Sequence, residues 1–219
     1  ASSNYTLTQP AGLTADITAK GLTITGISIS NKVYDGNTTA TITGTASLSG
    51  IVGSDAVTLG GTASATFNNA SVGTNKPVTV SGYTIGGAAS SNYTLTQPAG
   101  LTADITAKGL TITGISISNK VYDGNTTAAI TGTAALSGII GSDVVTLGGT
   151  AIANFDNANI GTSKPVTVGG YSIGGAASGN YTLSQPTGLT ADITAKGLTI
   201  TGISISNKVY DGNTTAAIT

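Results

Sequence analysis

The text of this chain repeats itself every 88 residues, and that repetition limits what it can fold into more than any other feature. Asn4-Tyr5-Thr6-Leu7 returns at Asn92 and again at Asn180, and Lys20, Lys108 and Lys196 each open the same words, GLTITGISISNKVYDGNTTA. Two full copies, 20–107 and 108–195, are flanked by the last part of one copy (1–19) and the first part of another (196–219). The full copies differ at only 15 positions. A period this long exceeds the roughly 20–50 residues of solenoid turns and propeller blades and falls in the range of independently folding domains. The expectation is therefore a series of separate modules in a stretch taken from the interior of a longer polypeptide, because neither an initiator Met nor a signal sequence precedes the first repeat.

Composition says which kind of module. Charged residues make up 8% of the chain, against roughly 25% in an ordinary globular protein, and all the bases are Lys and all the acids Asp. Glu, Arg, His, Cys, Met and Trp are absent. Good helix formers are thus scarce, while Thr, Val, Ile, Gly and Ser, the residues of strands and turns, dominate. Disorder is excluded by the 39% of hydrophobic residues and the near-zero net charge.

Along one copy, Leu22-Thr-Ile24-Thr alternates with period two, Gly26 interrupts it as a bulge or break, and Ile27-Ser-Ile29-Ser resumes in the opposite phase. Asp35-Gly36-Asn37 signals a turn before a strand over 38–45. Short strands over 56–59 and 62–67, separated by a Gly60-Gly61 turn, precede a loop over 68–76. Strands over 77–85, 93–96 and 101–107 complete the unit. The sum is about seven or eight short strands, which predicts an all-β chain of tandem Ig-like β-sandwich modules set end to end as a rod, with a β-grasp-like module as the alternative.

Positions that vary between the copies carry their own signal. Val52/Ile140, Val72/Ile160 and Ala56/Val144 stay apolar and read as core. Thr66/Asn154, Asn68/Asp156, Ser71/Asn159 and Asn75/Ser163 exchange turn-formers and read as surface. Alternation with Phe67 inward turns Ser64 outward, so Ile152, its counterpart, is an exposed apolar residue available for lateral self-association.

Several functions are excluded. A net charge of −1 with no Arg lacks the basic footprint of a nucleic-acid partner or an anionic lipid surface. The longest uncharged stretches, such as Pro77 to Ala103, are interrupted by Thr, Ser, Asn and Gln and do not suit a membrane span. Without His, Cys or Glu there is no imidazole base or thiolate, so no enzyme activity, catalytic residue or cofactor is expected.

The remaining chemistry gathers at a few residues. Tyr34-Asp35 and Tyr122-Asp123, each followed by Gly, offer a ring to stack on a sugar and a carboxylate to accept its hydroxyls, or else a hairpin turn with Tyr packed inward. Asp16, Asp35 and Asp55 are oxygen ligands of the type calcium takes, without the dense spacing of a calcium loop, so no metal is expected. Lys20, Lys32 and Lys76 are candidates for a Lys–Asn cross-link. Asn4, Asn37, Asn69, Asn92, Asn125, Asn180 and Asn213 begin Asn-X-Ser/Thr triplets.

Lys32-Val33-Tyr34-Asp35-Gly36-Asn37-Thr38-Thr39, then Gly53-Ser54-Asp55, Val72-Gly73-Thr74-Asn75-Lys76-Pro77-Val78 and Asn92-Tyr93-Thr94-Leu95, resemble the YDG repeat family, which is related to the MBG repeats. The resemblance spans essentially the whole chain. It implies a bacterial surface protein of the filamentous-haemagglutinin-like adhesin kind, extracellular or secreted as a fibre. The expected function is that of stalk or fibre repeats spacing a distal adhesive region from the cell. The alternatives are multivalent weak carbohydrate or mucin binding, with host or matrix glycans as partners, and a self-associating fibre or biofilm matrix. Neighbouring repeats of the same chain are the first partners expected.

Overall fold

The computed structural model describes residues 4–219, which form two compact units. One comprises the described residues through Lys108 together with Ile140–Asp143 and Gly179–Thr182; the other comprises Gly109–Ile139, Val144–Ser178 and Leu183–Thr219. The regular elements are overwhelmingly strands.

In the first unit these are β1 (Lys20–Ile29), β2 (Lys32–Val33), β3 (Thr39–Ala40), β4 (Ile42–Ser49), β5 (Thr58–Phe67), β6 (Gly73–Gly86), β7 (Tyr93–Leu95) and β8 (Leu101–Thr106). They make a three-stranded sheet in the order β4-β1-β7 and a five-stranded sheet in the order β2-β8-β6-β5-β3. Alternation puts Leu22 and Ile24 of β1, Ala65 and Phe67 of β5, Val78 and Val80 of β6, and Ala103 and Ile105 of β8 in the interior, with Thr23, Thr66 and Thr79 between them facing water and Asp104 half-buried. Burying a side chain such as Leu22 stabilises the unit by about 1.5–3 kcal/mol.

The strand bounds depart from the sequence reading where glycine permits a bulge. The expected strand, Gly60-Gly61 turn and second strand are one strand, β5, whose register against β6 shifts between Gly61 and Ser64. Gly61 and Gly82 both take positive φ there, +89° and +92°, so the chain kinks while pairing continues. Gly26 acts likewise in β1. The strand expected over 38–45 is split at Thr41: β3 pairs with β5 in one sheet and β4 with β1 in the other. β6 starts at Gly73, inside the expected 68–76 loop. Two pairings, β1 with β7 and β2 with β8, are parallel, and reasoning from consecutive hairpins reaches only antiparallel neighbours.

The positions read as core from their apolar exchanges are corrected by the structure. Val52, Ala56, Val144 and Ile160 are exposed, and Val72 and Ile140 are half-buried. All six lie in connections between strands or at their margins, where nothing fills space on both sides of the side chain. The polar exchange positions Thr66, Asn68, Ser71 and Asn75 are exposed.

In the second copy of the repeat, β9 (Lys108–Ile117), β10 (Lys120–Val121), β11 (Ile130–Ser137), β12 (Thr146–Phe155), β13 (Gly161–Gly174) and β15 (Leu189–Thr194) repeat the pattern, with β14 (Tyr181–Leu183), whose first two residues belong to the first unit, preceding the last. β10-β15-β13-β12 form one sheet, and β11 pairs antiparallel with β9. Its core is Ala128, Ala153, Phe155, Val166, Val168, Ala191 and Ile193.

Candidate functional site

The Tyr-Asp-Gly turn is held from within by one lysine. Lys32 Nζ lies 2.7 Å from Asp35 Oδ1 and donates to the carbonyls of Asn37 (2.9 Å) and Thr39 (3.1 Å) and to Asn37 Oδ1 (3.0 Å). Asp35 Oδ1 accepts the Asn37 amide and Asn37 Oδ1 accepts the Thr39 amide, so each short side chain replaces a backbone partner. Gly36 takes φ +79°. Lys120, Asp123 and Asn125 repeat this geometry. The Lys120 ammonium and the Asn125 amide hold the Asp123 carboxyl below its ordinary value.

Tyr34 follows directly from this turn. Its amide bonds the Thr106 carbonyl at 2.8 Å, which anchors it beside β8. Its ring lies edge-on to Tyr181, with centroids 5.4 Å apart at 75°. Its hydroxyl donates to Asp143 Oδ2 at 2.8 Å. Tyr181 donates to the same Oδ2 at 2.6 Å and accepts the Ile140 amide at 2.9 Å. The carboxylate bond, burial and the negative charge of Asp143 together push the Tyr34 hydroxyl up to about 12. Close by, Asn180 Oδ1 accepts the Val72 amide at 3.0 Å. Segments 140–143 and 179–182 thus belong to the first unit through Tyr34 and Val72. The matching pair on the first copy is built alike: Tyr93 donates to Asp55 Oδ2 at 2.6 Å and accepts the Val52 amide at 3.0 Å.

The two copies of the motif differ in exposure. Tyr34 is 6% exposed, and its ring presents no open face for a sugar, whereas Tyr122 is 42% exposed. Asp35 and Asp123 are turn carboxylates, each paired with its lysine. Ile152 is 61% exposed on β12 and borders a cleft with Thr127, Ala128, Ile130 and Asn154.

The candidate calcium ligands are not brought together. Asp16 lies in an extended exposed segment, Asp35 faces Lys32 and Asp55 faces Tyr93. Among the described residues, no three acidic side chains are grouped as a metal ion requires. Of the cross-link candidates, Lys32 and Lys76 donate to the side-chain oxygens of Asn37 and Asn69 (3.0 and 2.7 Å), contacts between near neighbours in sequence. Among the described residues no helix is long and apolar enough to cross a membrane.

Sequence reasoning missed two parts of this site. One is the turn-holding lysine, whose signal is the recurrent Lys-x-x-Asp-x-Asn spacing. The other is the Tyr181–Asp143 pair: it joins residues 38 apart, and nothing in the local spacing links a Tyr to an Asp at that distance.

Among known protein families, the model described as YDG domain matches residues 18–100 and 106–188, the same 88-residue offset as the repeat. No curated protein and no solved structure matches the chain.

Proposed function

This chain belongs to the YDG domain family in two tandem copies, and from that premise we propose that it serves as structural repeats of a secreted or cell-surface bacterial adhesin. Its modules space a distal adhesive region from the cell, each with an Ig-like sandwich topology. The observation that supports this reading is the fate of the most strongly repeated motif. Tyr34, Asp35 and Asn37 direct their polar groups to intrachain bonds, an arrangement suited to holding a chain together. No buried side-chain polar atom among the described residues lacks a partner, which fits a load-bearing module more closely than one that keeps groups open for a ligand.

Pulling single molecules by their ends tests the proposal. Each full repeat is expected to rupture as its own event and to lengthen the chain by somewhat less than about 300 Å, the extended length of 88 residues at roughly 3.3–3.6 Å each less the folded span. Gradual extension without separate ruptures, or reproducible glycan binding abolished by Tyr122→Ala on a glycan array, would overturn it.

A further inference from the structure

The passage from β12 into β13 brings an amine, a side-chain amide and a carboxylate into mutual contact. Lys164 lies on β13 opposite Ala191, on the buried side of the strand. Its aliphatic stem runs against Gly161, where an added Cβ would stand 3.2 Å from Lys164 Cγ and Cδ. Lys164 Nζ donates to Asn157 Oδ1 at 2.9 Å and lies 2.9 Å from Asp156 Oδ1. The other oxygen of that carboxylate, Oδ2, accepts Asn157 Nδ2 at 3.0 Å. Asp156 therefore touches the amine with one oxygen and the amide nitrogen with the other. Asn157 Oδ1 also accepts the Asn159 amide at 3.0 Å, so two donors polarise its carbonyl.

The first copy contains the same parts except the carboxylate. Lys76 is buried and donates to Asn69 Oδ1 at 2.7 Å, and the Ser71 amide reaches the same oxygen at 3.1 Å. Asn68 stands where the second copy has Asp156, and an amide side chain does not carry a proton as a carboxylate does. The lysines of the Tyr-Asp-Gly turns are placed differently. Lys120 Nζ is shared among Asp123 Oδ1, Asn125 Oδ1 and the carbonyls of Asn125 and Thr127, acceptors enough to engage every N–H of an ammonium.

We propose that Lys164 and Asn157 join through an isopeptide bond with Asp156 as the proton carrier, and that of the two full copies only the second forms it. Asp156 Oδ1 takes a proton from the Lys164 ammonium, and the freed Nζ attacks Asn157 Cγ. The Asn159 amide holds the negative charge that develops on Oδ1. The carboxyl passes its proton to Nδ2, whose bond to Cγ breaks as the carbonyl re-forms. The remaining surplus proton of Nζ leaves with the ammonia as ammonium, and one N–H stays on the new amide. A lysine ammonium and a primary amide thus become a secondary amide and an ammonium ion, so atoms, charge and electrons balance without an oxidant or cofactor. The product is a neutral amide where a buried cation stood, which removes the cost of keeping that charge from water. The inference goes beyond the proposed function, since it needs neither a cell surface nor an adhesive region.

The intact mass of the full chain after incubation at neutral pH tests it. The parent is expected to fall short of its 21.2 kDa sequence mass by one ammonia, and fragment spectra are expected to place the loss at a branch between Asn157 and Lys164. Lys164→Met is expected to keep the full mass. That variant separates the cross-link from a cyclic imide formed by Asn157 with its own backbone, which also sheds ammonia but does not need the lysine. Asp156→Asn installs the residue that the first copy carries at this place, so the fold accommodates it, and it is expected to abolish the loss. Asn68→Asp is expected to add a second loss, at Lys76 and Asn69. A parent of full mass, a loss that survives Lys164→Met or Asp156→Asn, or an Asn68→Asp chain that sheds one ammonia only would each overturn the proposal.

Discussion

At the scale of the residue, short-range chemistry explains the turn and long-range chemistry explains the tyrosine. The Lys-x-x-Asp-x-Asn turn recurs even in 196–219, where Lys208, Asp211 and Asn213 make the same side-chain contacts with only the Ile205–Ile218 bridge flanking them, so this part of its geometry comes from neighbours in sequence. Tyr34 is different, because its partner Asp143 lies 109 residues away. Replacing Tyr34 with Phe keeps the ring and removes the hydroxyl, and is expected to cost about 1.5–3 kcal/mol, the typical worth of a bond to a charged acceptor. The pH dependence has a definite sign. The folded-state value is raised from 10.0 to about 12, so the contribution is complete below about pH 10 and is lost as pH rises toward 12. Denaturant midpoints of the parent and Tyr34→Phe should differ by a constant amount to pH 10 and converge above it. A difference that does not change across that range would show that the hydroxyl bond is not the source.

At the scale of the element, alternation made most strands legible, and glycine conformation decided whether a gap in the alternation was a turn or a bulge. Leu22, Ile24, Ala65, Phe67, Val78 and Val80 could be placed inward from their spacing alone. Gly60-Gly61 could not, because the same dipeptide serves a hairpin or a bulge, and the choice rests on β6 continuing past it on the neighbouring strand. Gly61→Ala is expected to destabilise the first unit by more than about 2 kcal/mol, since a positive φ is joined by a Cβ that would overlap the Gly82 carbonyl oxygen. Gly53→Ala also sits at positive φ, +55°, but meets nothing within 4 Å, and is expected to cost only about 1 kcal/mol. Thermal unfolding of both variants separates steric overlap from backbone preference, and equal losses would refute the bulge as the source of the larger one.

At the scale of the whole molecule, identical words adopt different structures according to what surrounds them. Residues 89–107 repeat 1–19 letter for letter, yet Ile105 is 1% exposed on β8 while Ile17 is fully exposed. Leu110 is buried in β9, and Leu198, in the same sentence, is exposed. A strand needs its partners to satisfy its amides and cover its apolar face. The same logic predicts that the isolated span 20–107, deprived of Ile140–Asp143 and Gly179–Thr182, keeps its strands but leaves Tyr34 as open as Tyr122. Its unfolding free energy should fall by about 2 kcal/mol relative to the same span in the full chain, measured by denaturant titration; no change would mean that the Tyr34 contacts contribute nothing. Residue order alone set the period, the all-β character, the inward positions along each strand and the Lys-held turn, because each depends on neighbours or on alternation. Which strands lie parallel, which apolar residues stay in water and which carboxylate Tyr34 meets depended on the folded chain, because those outcomes require groups that meet only after distant segments have come together.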